Sequence, residues 1–298
     1  MKKAFSLLLI LLFLPAVSLS ETVVTSFYPV WLLALNLANG VPDLEIRNLA
    51  APETGCLHDY QLQTGDMKVL SEADLFLVNG AGMESYLDHV FSVFPSLPVA
   101  EAAEGIPLLA ETDALAIGEA EEGNEVNAHI WLSAANAAAM AENLARAMEK
   151  QFPDRGQMIH ENLEELRSRL LALDQELREG LSNLPQKGII TFHEAFPYFA
   201  QAYGLNIVAV VNREPGETLT PAQLAELAEA IVSLGTPPLF VEPQYEDLSA
   251  RTLAAETGAA VYTLDPIVTG PEENVPLDYY ETVMRRNMET LLQALGGN

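Results

Sequence analysis

Five histidines punctuate the chain, at positions 58, 89, 129, 160 and 193. Imidazole nitrogen ligates zinc well, and a carboxylate oxygen can complete a tetrahedron. Three of the five stand where apolar, strand-type runs meet loops. His58 follows Leu44–Leu49 after a loop containing Pro and Gly. His193 stands directly after Gly188–Phe192, and His129 precedes Ile130-Trp131-Leu132. Asp265 occupies the same kind of position, after Ala259–Leu264. In open α/β sheets, ligands gather beyond the carboxyl ends of strands. The other two histidines suit structural or surface roles: His89 lies in the helical stretch Glu84–Phe91, and His160 sits beside Ile159 on a long helical pattern.

Metal-bound imidazoles are normally oriented by a second group. Asp59 and Glu194 each follow a candidate histidine, and Glu242 ends the run Leu239–Val241, so these three carboxylates are the expected supports. Cys56, the one cysteine, lies two residues before His58. Its thiolate would suit zinc, but it reads first as a small buried residue. Hydrolytic chemistry finds less support. His193-Glu194 opens like the zinc-protease motif H-E-x-x-H, but Pro197 stands where the second His belongs. No G-x-S-x-G nucleophile elbow occurs either.

These residues need a frame. Strand-like runs fall at Thr22–Phe27, Leu44–Leu49, Ala73–Asn79 and Pro98–Ala100, then at Gly188–Phe192, Asn206–Val211, Leu239–Val241 and Ala259–Leu264. Most are continuously apolar, as parallel strands covered on both faces should be. Helical patterns alternate with them, which predicts an α/β fold with parallel sheets. Thr220-Pro221-Ala222-Gln223 is a helix start, with Thr as N-cap, Pro at N1 and Gln at N3. One segment breaks the alternation. From Asp154 to Leu184, apolar residues at Ile159, Leu163, Leu166, Leu170, Leu173, Leu177, Leu181 and Leu184 mark one helix face. A helix of about 30 residues is a rod of roughly 45 Å. An α/β block precedes it and another follows, so two lobes joined by a rigid helix are expected: residues 21–152, 153–184 and 185–298. A stripe of this length is also compatible with a coiled-coil dimer. The acidic segment 111–128 reads as a surface loop.

Residues 1–20 have a basic start at Lys2-Lys3, an apolar run from Ala4 to Val17, and small residues before a cut after Ser20. This is the pattern of a secretory signal peptide. With Cys56 as its one cysteine, far from that cut, the chain is expected in the periplasm without a lipid anchor or an internal disulfide. The net charge of −27 becomes −29 once the two signal lysines are removed. Such a surface repels nucleic acid and anionic lipid and tolerates cationic ligands.

Taken in order, several stretches resemble the zinc- and manganese-binding family of ABC-transporter solute-binding proteins. They are CLHDYQLQTGDMKVLSEADLFLVNGAGMESYL, HIWLSAANA, TFHEAFPYFAQAYGL, REPGETLTPAQLAEL and LFVEPQYEDLSARTLAAETGAAVYTLDPI. The resemblance covers nearly all of the chain after the leader. It implies two lobes with a metal ion in the cleft between them. By motif position it assigns the ligands to His58, His129, His193 and Asp265, two from each lobe. It further implies a monomeric binding protein, not an enzyme, that captures zinc as transported ligand and delivers it to an ABC-transporter membrane permease. Manganese or a metal chelate is the alternative cargo, and a secreted metallohydrolase is a further alternative function. The chain departs from the family in two respects. The loop before His129 is acidic rather than His-rich, and Leu57 stands where some members carry an acidic residue.

Overall fold

Short apolar strands alternate with helices throughout the computed structural model, which describes residues 20–57, 60–110, 115–116, 126–211, 219–244 and 248–297. The first sheet contains β1 (Glu21–Thr25), β2 (Leu44–Asn48), β3 (Leu75–Val78) and β4 (Val99–Glu101), all parallel and ordered β2-β1-β3-β4. All four residues of β3 are buried, as a strand covered on both faces requires.

The second sheet contains β5 (Leu115–Ala116), β6 (Gly188–Thr191), β7 (Asn206–Val210), β8 (Leu239–Val241) and β9 (Val261–Thr263), also parallel, in the order β5-β7-β6-β8-β9. Apart from β5 at its edge, this repeats the winding of the first sheet. In both, the chain starts in an inner strand, lays the second strand on one side and the third on the other. That reversal creates a topological switch point between β1 and β3 and another between β6 and β8. The fold is thus two parallel-sheet α/β lobes with a long helix between them in sequence. The strand β5 falls inside the acidic segment expected to be a loop. Its two residues, Leu115 and Ala116, are too few to show a strand period.

The helices are α1 (Tyr28–Leu37), α2 (Thr64–Ser71), α3 (Leu87–Val93), α4 (Ala134–Gln151), α5 (Gly156–Leu181), α6 (Pro197–Tyr203), α7 (Pro221–Ser233), α8 (Leu248–Thr257) and α9 (Tyr279–Leu295). The long rod α5 buries the apolar stripe predicted for it, from Ile159 to Leu181, with Leu184 just beyond its end. It packs on α4, α1, α6 and α9. Thr220 caps α7 as its sequence predicts. Its hydroxyl accepts from the Gln223 N–H while the Gln223 side chain accepts from the Thr220 N–H.

One continuous core joins the first sheet, α1, α4, α5, α6 and α9. A smaller core of Ile190, Ala209, Val211, Leu227, Ile231, Leu239 and Leu253 lies under α7 and α8. The segment after β9 turns back to the first lobe. The Tyr28 hydroxyl donates to the Pro271 carbonyl, and Asn36 Nδ2 donates to the Leu277 carbonyl. Gly270 suits this close approach, because a Cβ there would clash with the Tyr28 ring and hydroxyl.

Candidate metal centre

The second switch point delivers its side chains directly. His193 leaves the end of β6 and Glu242 the end of β8, and both are buried. His193 Nδ1 lies 2.9 Å from Glu242 Oε1. A carboxylate accepts, so Nδ1 carries the proton and Nε2 is left with the lone pair. Gln244 donates to the other Glu242 oxygen and fixes the carboxylate in turn.

The first switch point works through an intermediary. Asn79, just after β3, donates from Nδ2 to the Ala128 carbonyl at 3.0 Å and so ties down the residue before His129. The backbone N–H groups of Asn79 and Gly80 donate to the buried Glu84 carboxyl at 2.7 and 3.0 Å. Burial pushes that carboxyl up to about 7, against these two hydrogen bonds, which favour its anion. Beyond His129, a 3-10 turn at Ile130–Leu132 sets Trp131 into the core. Its indole N–H donates to the Pro266 carbonyl at 2.8 Å, and its ring meets Phe27 edge-on.

Asn127 then sets the His129 ring. Its Nδ2 donates to the Glu194 carbonyl at 2.7 Å, which turns Oδ1 toward His129. That oxygen accepts from the His129 backbone N–H at 3.0 Å and faces Nδ1 at 3.2 Å. Nδ1 is therefore protonated, and Nε2 again holds the lone pair. The two imidazoles meet edge to face with centroids 4.9 Å apart.

Cys56 is the third member. It is only partly buried, which corrects its reading as a buried small residue. Its Sγ lies 3.4 Å from His129 Nε2. Donor atoms of Cys56, His129 and His193 all lie within 4.8 Å of one another, the one such group among the described residues. His58 and Asp59 lie outside the described residues.

Asp265 does not join that group. Its Oδ1 accepts from the Ile267 N–H at 2.8 Å, while Asn287 bonds both its backbone N–H and its carbonyl. Burial raises its pKa and the nearby Glu242 charge raises it further, while the Ile267 N–H and Arg286 pull it down. Ile267 itself has φ 63, a strained conformation for a β-branched residue, held by this Asp265 contact and full burial. Glu194 is buried in the same region and holds Asn127 through its carbonyl. His89 and His160 are exposed on α3 and α5, where His160 pairs with Glu149 at 3.3 Å. Asn127 was missed in the sequence, although its place two residues before His129 was the available signal.

The family model described as zinc-uptake complex component A, periplasmic, matches residues 23–294. The chain belongs to this family. The chain is 30% identical over 283 residues to the zinc-binding lipoprotein AdcA of Streptococcus pneumoniae, covering 91% of this chain and 55% of AdcA. It thus spans about half the length of that curated relative. It is 28% identical over 244 residues to the manganese ABC transporter substrate-binding lipoprotein PsaA of Streptococcus mitis, covering 80% of this chain and 78% of PsaA. The solved structure of the SBP FpvC of Pseudomonas aeruginosa, in complex with Mn2+, shares the fold. Its TM-score is 0.81 at 24% identity, covering 93% of this chain and 99% of that one. The family and the two-lobed fold are those the sequence motifs imply. No described helix is long and apolar enough to cross a membrane.

Proposed function

We propose that this protein captures zinc outside the cytoplasm and delivers it to an ABC-transporter membrane permease. It acts as a binding protein rather than an enzyme. The observation that carries this reading is the convergence of His129 and His193 from opposite lobes, ring centroids 4.9 Å apart, each ring with its Nδ1 proton held and its Nε2 left as the donor. Buried donors with their tautomers fixed in advance are what a high-affinity metal site requires. In this reading His58 and Asp265 would join them as ligands when the ion binds, with Glu242 and Glu194 in support. Two or three imidazoles favour zinc over manganese, which prefers oxygen-rich and higher-coordinate sites. The zinc-binding AdcA relative supports the same choice, and the PsaA relative defines the competitor.

We place the protein in the periplasm, as a monomer with lobes at residues 21–152 and 185–298 about the helix near 153–184. Cys56 belongs to the metal centre in this reading, beside His129, and is not a lipidation point.

Competition between zinc and manganese for a chromophoric chelator tests the function on the full chain. Zinc should bind tighter than manganese, and His193→Ala should lose much of the zinc affinity. Tighter manganese binding by the wild type would overturn the choice of metal. Unchanged zinc affinity in His193→Ala would remove this site altogether.

A further inference from the structure

We infer that Cys56 supplies a thiolate to the captured ion and biases the site toward zinc against manganese. The inference rests on the zinc-capture reading above and names a donor that the family's ligand pattern does not contain.

Geometry is the first support. Zinc holds sulfur at about 2.3 Å and imidazole nitrogen at about 2.0–2.1 Å, so a tetrahedron places the two donors about 3.5–3.6 Å apart. Cys56 Sγ and His129 Nε2 are 3.4 Å apart, so an ion can enter between them with almost no shift of either atom. His193 completes the group within 4.8 Å and needs only a modest approach.

Anchoring is the second. Leu57, next to Cys56, is fully buried in the main core and fixes the backbone beside the thiol. His129 and His193 are each about 97–98% buried, at 2% and 3% exposure, whereas Cys56 remains partly accessible. The cluster therefore pairs two sealed imidazoles with a cysteine that is only partly buried.

The chemistry of exchange is simple. With no ion bound, the thiol proton faces the His129 lone pair across the 3.4 Å contact. On binding, the S–H bond breaks, its electron pair forms the sulfur–metal bond, and the proton passes to solvent. No electrons are transferred. Thiolate is a soft donor that suits zinc and copper(I) and contributes little to a manganese site.

Cobalt(II) loaded into the full chain supplies the test. Tetrahedral visible bands should appear together with a near-ultraviolet thiolate-to-cobalt charge-transfer band, and Cys56→Ser should lose the latter alone. In competition, Cys56→Ser should narrow the preference for zinc over manganese by about 10- to 100-fold, at least the cost of losing an outer support. Should the variant fail to fold, alkylation of the wild-type thiol gives the answer, because stoichiometric zinc should protect Cys56. Cobalt bands without charge transfer, or equal alkylation with and without zinc, would overturn the thiolate while leaving the histidine site intact. Failure of the wild type to bind cobalt or zinc at all would instead remove the zinc-capture reading.

Discussion

The two lobes wind their strands in the same order but use their switch points differently. In the second lobe the crevice between β6 and β8 is left to the site, and His193 and Glu242 project from the strand ends themselves. In the first lobe the corresponding crevice is plugged by protein. Glu84, Asn79 and the Trp131 turn fill it and hold His129 at one remove. One lobe presents donors directly and the other acts as a bracket. Damage to the bracket should therefore register as lost stability, and damage at the second switch point as lost affinity.

The largest effect should come from the bracket. Trp131→Ala removes a fully buried indole and its bond to Pro266, at a cost of about 3–5 kcal/mol. Denaturant unfolding of the metal-free protein measures it, and a loss below 1 kcal/mol would contradict the role of bracket. Next comes Glu84. Its folded carboxyl sits at about 7 against an ordinary 4.5, so the folded state holds this proton more tightly. The associated stability is complete below about pH 4.5 and is lost as pH rises through about 7, a change of about 3 kcal/mol. A pH series of unfolding free energy checks the trend, and the Glu84 carboxyl carbon resonance should titrate near neutrality.

At the second switch point, Glu242→Ala should weaken zinc binding by about 10- to 100-fold, with Glu242→Gln retaining part of the loss as a neutral acceptor. Calorimetric titration decides it, and a large fall in unfolding free energy without a change in affinity would reverse the assignment. The smallest effect belongs to the outer layer under α7. Ile231→Val should cost about 0.5–1.5 kcal/mol and leave zinc affinity unchanged, since Ile231 packs in the smaller core away from the site. A matching loss of affinity would show that this layer is coupled to the centre.

Much of the frame was legible in the sequence because its signals are local. Strand-like runs, most of them continuously apolar, revealed eight of the strands, and the stripe from Ile159 to Leu184 revealed α5. The strand β5 was not legible, since two residues have no measurable period and their partner lies about 90 positions away at Ala209–Val210. At the site, residue type singled out His129 and His193, His193 by its place after a strand and His129 by its place before Ile130-Trp131-Leu132, which folds as a 3-10 turn rather than a strand. The roles of Asn127 and Cys56 depend on long-range contacts, Cys56 to His129 and Asn127 to Glu194, which no periodicity encodes. Glu242 was nominated because it ends a strand, but its partner became visible only when β6 and β8 lay side by side.

The exchange of segments between lobes has a consequence for how the chain can be divided. Leu115 and Ala116, numbered with the first half, complete the edge of the second sheet. Pro266, Pro271, Leu277 and Tyr280, numbered with the second half, bond back to Trp131, Tyr28 and Asn36 in the first. The halves are interlaced rather than strung together. A cut within α5 would yield two fragments, each lacking a piece of its own fold that the other carries. Such fragments should mature only as a pair, and because His129 falls in one and His193 in the other, reassembly would restore structure and metal capture in the same event.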